Sequence, residues 1–145
     1  MSTATNQEKP GELEILSQED ILTPAGIVRV LRVNNPKLIE DDDVAKYGMA
    51  LMNAIREREV SEDEKPHSYV LCFAGVDSFS TAAMGKIIRA HRHLYDSKRQ
   101  LVLLDIRPEI YEVFAITKLN RIFEIKDSLE GYLAQLGGRV QKPSL

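Results

Sequence analysis

Short apolar runs separated by segments of helical spacing constrain this chain more than any other feature. GIVRVLRV at 26–33, YVLCFAGV at 69–76, LVLLDI at 101–106 and FEI at 123–125 have the length and the β-branched content of strands. Between the first two, EDDDVAKYGMALMNAIRER at 40–58 opens with acids suited to a helix start and repeats apolar residues at Val44, Tyr47, Leu51 and Ile55, the spacing of one helix face. A second helix is expected over 81–95, with Met84, Ile87, His91 and Leu94 on one side. A third follows Pro108, a residue suited to the first helical turn, and a fourth runs from Asp127 to Leu136. LEIL at 13–16, joined through TPAG to the run at 26–33, completes an N-terminal hairpin. Strands that alternate with helices in this order imply an α/β fold: a mostly parallel central sheet with an N-terminal hairpin and about four helices.

The 145 residues suffice for one domain with a sizeable core. The polar start MSTATNQEKPG reads as a flexible tail over 1–11, the domain as 12–137, and the end as a second tail over 138–145. A net charge of −3 gives no general attraction to nucleic acid or to an anionic membrane. No apolar stretch approaches the roughly 18 residues needed to span a bilayer, and the start lacks the features of a signal peptide. The single Cys72 sits in an apolar run, as a buried thiol in a reducing compartment does. The expectation is a cytoplasmic protein.

At 76–85, VDSFSTAAMG, a strand gives way to a helix through the smallest side chains in the region. Ser80 or Thr81 suits the N-cap position, its hydroxyl accepting a backbone N–H. Capping does not account for Ala82, Ala83 and Gly85. Residues that small let another backbone approach, and in parallel sheets ligands and partners meet the carboxyl ends of strands. Lys86 and Arg89 give the same helix a basic exposed side.

With GVDSFSTAAMGKII, then RPEIYEVF, then FEIKDSLEGYL in this order, the chain resembles the STAS domains, whose best-known members are bacterial anti-sigma factor antagonists. The likeness covers roughly residues 26–136. Thr81 stands at the first Ser of the family's S-S-G, Ala82 at the second, Ala83 at its Gly and Gly85 at the final Gly of the motif. Three positions depart from the pattern: Ser80 replaces the acid before the modified hydroxyl, Ala82 replaces a Ser, and NNPKLIE replaces the G-x-L-D type turn. The resemblance implies a non-enzymatic protein-binding module with phosphorylation at Thr81, or at Ser80 as a competing site. The implied partner is a serine/threonine kinase of anti-sigma type, met by a surface containing Ser78, Ser80, Thr81, Ala82, Gly85, Lys86 and Arg89. The alternative it leaves open is a constitutive scaffold subunit of a larger signalling or transporter-associated assembly.

Other chemistries find less support. A nucleophile at Ser80 or Thr81 lacks both a G-x-S-x-G elbow and a well-placed His. No G-x-x-x-x-G-K-[ST] phosphate loop occurs, and no cofactor is expected. His91 and His93 lie two apart on a helix, so they do not share a metal; His91 is expected to pack and His93 to be solvated. Asp105, at the end of its strand, reads as a turn-capping acid or as a group that orients a hydroxyl. Glu40–Asp43 read as helix-start charge. Tyr111, Phe114, Ile116, Leu119, Ile122 and Phe123 read as packing, with an exposed minority left to complete a partner patch.

Overall fold

The computed structural model describes residues 15–56 and 65–137. The expected tails at 1–11 and 138–145, the first half of LEIL, the end of the 40–58 helix and the acidic part of the connection after it lie outside the described residues.

Strand β1 (Leu16–Thr23) pairs antiparallel with β2 (Gly26–Val33), from Leu16 opposite Val33 to Thr23 opposite Gly26. The expected first strand ended where this one begins, because SQEDILT looks too polar for a strand. Its place at the sheet edge resolves this. Asp20 and Glu19 are exposed and pair with Arg29 at 2.9 Å and Arg32 at 3.1 Å on β2, so the polar side chains become cross-strand partners. The turn is closed by Thr23, whose hydroxyl donates to the Gly26 carbonyl at 2.7 Å. Gly26 has φ +128°, and a Cβ there would lie 3.1 Å from His67 Cβ; both facts demand glycine.

After the two-residue β3 (Lys37–Leu38) comes helix α1 (Asp41–Ile55), then β4 (Ser68–Cys72), the two-residue β5 (Ser78–Phe79) and helix α2 (Thr81–Asp96). Strand β6 (Gln100–Leu104), helix α3 (Pro108–Ile116), a single 3-10 turn at Leu119–Arg121, strand β7 (Glu124–Lys126) and helix α4 (Leu129–Gly137) complete the described chain. The main sheet has the order β1-β2-β4-β6-β7, with β2, β4, β6 and β7 mutually parallel. The strand expected at 69–76 leaves the sheet after Cys72. Phe73 and Val76 are fully buried all the same, so the apolar run outlasts the strand because the loop beyond it dips into the core.

Two cores flank the sheet. On one face α1, α2 and α3 pack through Tyr47, Leu51, Ile87, Leu94 and Phe114 onto Leu31, Leu71 and Leu103. On the other, α4 alone lays Tyr132 on Val28, Val30, Val70, Val102 and Leu104. Each such fully buried large side chain contributes about 1.5–3 kcal/mol relative to exposure. Tyr132 is positioned by its hydroxyl, which donates to the buried Ser68 hydroxyl at 2.9 Å. Because β2, β4, β6 and β7 follow one another in order, these strands contain no point at which the winding reverses. The crevice that seats dinucleotides in doubly wound sheets depends on that reversal.

Candidate partner-binding surface

Loop 73–80 links β4 to α2, and a two-residue ladder holds it in place. Lys37 pairs with Ser78 and Leu38 with Phe79 in parallel register. The Asp77 N–H donates to the Pro36 carbonyl at 2.7 Å and the Ser80 N–H to the Leu38 carbonyl at 3.0 Å. Since α1 starts at Asp41 and α2 at Thr81, each just past this ladder, the two helix starts lie side by side at the carboxyl end of the sheet. Behind the loop, Phe79 meets Phe73 edge-on at 5.3 Å and Tyr47 at 6.5 Å between ring centroids. The aromatic cluster fixes Phe79 and, through it, the position of Ser80.

Ser80 is the N-cap. Its hydroxyl accepts the Ala83 N–H at 3.1 Å, satisfying one of the free donors of the first turn. Thr81, the first helical residue, is exposed, and its hydroxyl has no hydrogen-bond partner among the described residues. The first turn of α2 contains no acid, whereas α1 next to it begins Asp41, Asp42, Asp43 after the exposed Glu40.

The small residues divide by role. Ala83 is fully buried, so its size serves the core. Ala82 and Gly85 are exposed, and a Cβ at Gly85 would meet nothing within 4 Å. Ser78 is half-buried in β5, and Arg89 is exposed. Lys86 is not a freely presented cation. It is half-buried, and its Cδ would lie 2.6 Å from a Cβ on Gly48 of α1. Its methylene stem therefore fills the groove between the two helices.

Asp105 follows β6 with φ 56°, in the left-handed region that Asp tolerates better than most residues. It accepts the Cys72 thiol at 3.5 Å. Burial pushes that thiol pKa up, and the Asp105 charge adds to the shift, the reverse of what a reactive cysteine needs. Arg107 precedes α3 with Pro108 at its first position, and its guanidinium lies 3.8 Å from Asp77. Burial lowers the pKa of His91, which packs edge-on against Phe123 at 5.1 Å. His93 is half-buried, not solvated as expected. Among the described residues no cluster of three or more His, Cys, Asp or Glu could hold a metal, and no helix is long and apolar enough to cross a membrane. Of Tyr111, Phe114, Ile116, Leu119, Ile122 and Phe123, three are exposed: Tyr111, Ile116 and Ile122, at 40%, 76% and 53%. That is half of the set, where only a minority was expected.

Sequence reasoning missed the contribution of Ile39, Glu40 and Asp41 to this surface. Only the β3–β5 ladder brings them next to Thr81, and two residues carry no readable strand pattern.

A family model described as STAS domain matches residues 44–131. A search of curated protein sequences gave no match. Among solved structures, the chain is similar to an anti-sigma-factor antagonist (STAS) domain protein from Planctomyces limnophilus, with TM-score 0.63 and 14% identity over 82% of this chain and 97% of that one. It is similar to the Bacillus cell fate determinant SpoIIAA in the phosphorylated form, with TM-score 0.56 and 16% identity over 83% and 96%. It also resembles a sulfate transporter family protein from Wolinella succinogenes, with TM-score 0.62 and 14% identity over 80% and 88%. At these identities the likeness is one of fold.

Proposed function

The chain belongs to the STAS domain family, and on that premise we propose that it is a non-enzymatic regulatory module that docks a partner protein at the start of α2 and is switched by phosphorylation of Thr81. The observation that carries this reading is the hydroxyl of the exposed Thr81, without a partner among the described residues, at the first position of a helix with no acid in its first turn. A phosphoryl group adds about −1.5 to −2 charge and three acceptor oxygens. The helix N-terminus tolerates that charge locally, so the fold survives modification. A partner packed closely on Ala82 and Gly85 does not tolerate it: bulk, desolvation and repulsion act together.

Ser80 is the weaker site because its hydroxyl is committed to capping Ala83. The partner is a serine/threonine kinase of anti-sigma type in the cytoplasm, and the phosphate donor belongs to it. Likeness to a determinant solved in its phosphorylated form supports this reading. The test is complex formation by Thr81→Glu and Thr81→Ala. Loss with Glu and retention with Ala support the switch; equal binding by both removes it.

A second reading, a constitutive scaffold in a transporter-associated or signalling assembly, is favoured by Ser80 and Ala82 standing where the family has an acid and a Ser. The likeness to a sulfate transporter family protein supports it as well. It calls for a partner that binds wild type and Thr81→Glu alike.

A further inference from the structure

An open cavity of about 920 Å³ lies at the carboxyl ends of β6 and β7, beside the start of α3, and its size is that of a small-molecule site. Leu104 stands opposite Lys126 in the last rung between these parallel strands. Asp105 and Asp127, one residue further along each strand, therefore leave the sheet as neighbours, and both line the cavity. The buried Phe123 and the half-buried Ile106 and Ile125 give it an apolar floor. Tyr111 lines it too, and its hydroxyl accepts the Asn120 side-chain amide at 3.3 Å, which ties α3 to the 3-10 turn.

The charges around this cavity are unevenly matched. Lys126 pairs with Glu124 at 3.1 Å, and Arg107 lies 3.8 Å from Asp77 in the loop before α2. Both lining cations thus already have a carboxylate. Asp127 has no hydrogen bond or ion pair among the described residues, and Asp105 accepts only the Cys72 thiol, at 3.5 Å. Neither acid is spent on a helix cap. The Ser128 hydroxyl caps α4 by accepting the Gly131 N–H at 3.1 Å, and α3 starts on Arg107 and Pro108. Like charges set side by side repel, and a thiol brings no positive charge to offset them.

We propose that this cavity binds a small organic ammonium ion whose N–H groups donate to Asp105 and Asp127 and whose compact apolar body rests on Ile106, Phe123 and Ile125. Hydrogen bonds between ionised groups hold the head, and the Tyr111 ring adds attraction for the cation. The Asn120 side-chain carbonyl is a further acceptor, because the amide nitrogen is the atom engaged with Tyr111. A metal ion fits less well: it leaves the apolar floor unused, and among the described residues no cluster of three or more His, Cys, Asp or Glu could hold one.

The test is an amide NMR titration of the full chain at low salt with 2-phenylethylammonium, 2-phenylethanol, ammonium and magnesium ions. Saturable shifts at Ile106, Tyr111, Phe123 and Asp127 are expected with 2-phenylethylammonium. It binds about fivefold or more better than the alcohol, through the carboxylates, and than ammonium, through the apolar floor. Asp105→Asn with Asp127→Asn weakens it about tenfold or more. Asn tolerates the left-handed backbone at 105, and unshifted resonances at Val30 and Leu51 show that the fold is kept. Absence of saturable shifts in wild type overturns the proposal. So does binding of the alcohol or of ammonium equal to that of 2-phenylethylammonium, undiminished affinity in the Asp105/Asp127 variant, or tighter binding of magnesium at the same residues.

Discussion

Ser80 holds its hydroxyl 3.1 Å from the backbone N–H of Ala83, while the neighbouring Thr81 is exposed and its hydroxyl has no partner among the described residues. Two adjacent hydroxyls thus have separate duties, one structural and one available. Ser80→Ala is expected to destabilise the domain by about 1 kcal/mol, lowering Tm by about 3–4 °C. Ser80→Asp keeps the cap and loses almost nothing, since Asp is as good an N-cap as Ser. Thermal unfolding of the two variants followed by circular dichroism checks both statements, and equal losses would show that the cap is not what holds this turn.

Gly85 separates stability from binding. Its Cβ position is empty in the domain, so Gly85→Ala is expected to stabilise the helix by about 0.5–1 kcal/mol. If a partner backbone lies on this spot, Gly85→Gln weakens the complex about tenfold or more without unfolding the domain. Urea denaturation measures the first effect and titration with the isolated partner the second. A complex indifferent to Gln would move the docking surface away from Gly85.

Tyr47 is fully buried on α1, and its hydroxyl finds no hydrogen-bond partner among the described residues; burial holds its pKa far above the ordinary phenol value. An unmet buried hydroxyl costs about 1–3 kcal/mol. Tyr47→Phe keeps the ring contact with Phe79 and removes that cost. The variant is expected to unfold at higher urea concentration than wild type with an unchanged slope. A lower midpoint would show that the hydroxyl has a partner, such as a bound water.

How far the sequence could be read follows from these residues. Strands and helices with full patterns were legible: GIVRVLRV and the Val44–Ile55 face settle where spacing and apolarity place them, and LVLLDI at 101–106 supplies most of a strand that runs Gln100–Leu104 and stops before Asp105. Legibility failed where tertiary context overrode local signal. β1 is polar because an edge strand needs only cross-strand partners, and Phe73 and Val76 are apolar outside any strand because their loop enters the core. Within the candidate surface, Ser80 as cap and the open Gly85 agree with the residue types. The burial of Ala83 and the engagement of Lys86 with Gly48 could not be read, because both depend on how α1 crosses α2.

His91 adds a pH dependence. Burial lowers its pKa, so the folded state favours the neutral ring. A lowered folded pKa contributes stability that is present above the ordinary histidine value of about 6.5 and is lost as pH falls through the folded value. Wild type is therefore expected to lose more stability between pH 7.5 and 5.5 than His91→Phe, which retains the contact with Phe123 and has no proton to bind. Urea midpoints of both proteins at the two pH values decide the point; parallel losses would assign the acid sensitivity to other groups.

The most direct measurement is site-mapping mass spectrometry of wild type, Ser80→Ala and Thr81→Ala after incubation with ATP and extract of the source cells. Phosphate on Thr81 is expected in wild type and in Ser80→Ala, with none at this helix start in Thr81→Ala. An unmodified Thr81, in a reaction that phosphorylates a control substrate, would contradict the switch and leave the start of α2 as a constitutive docking surface.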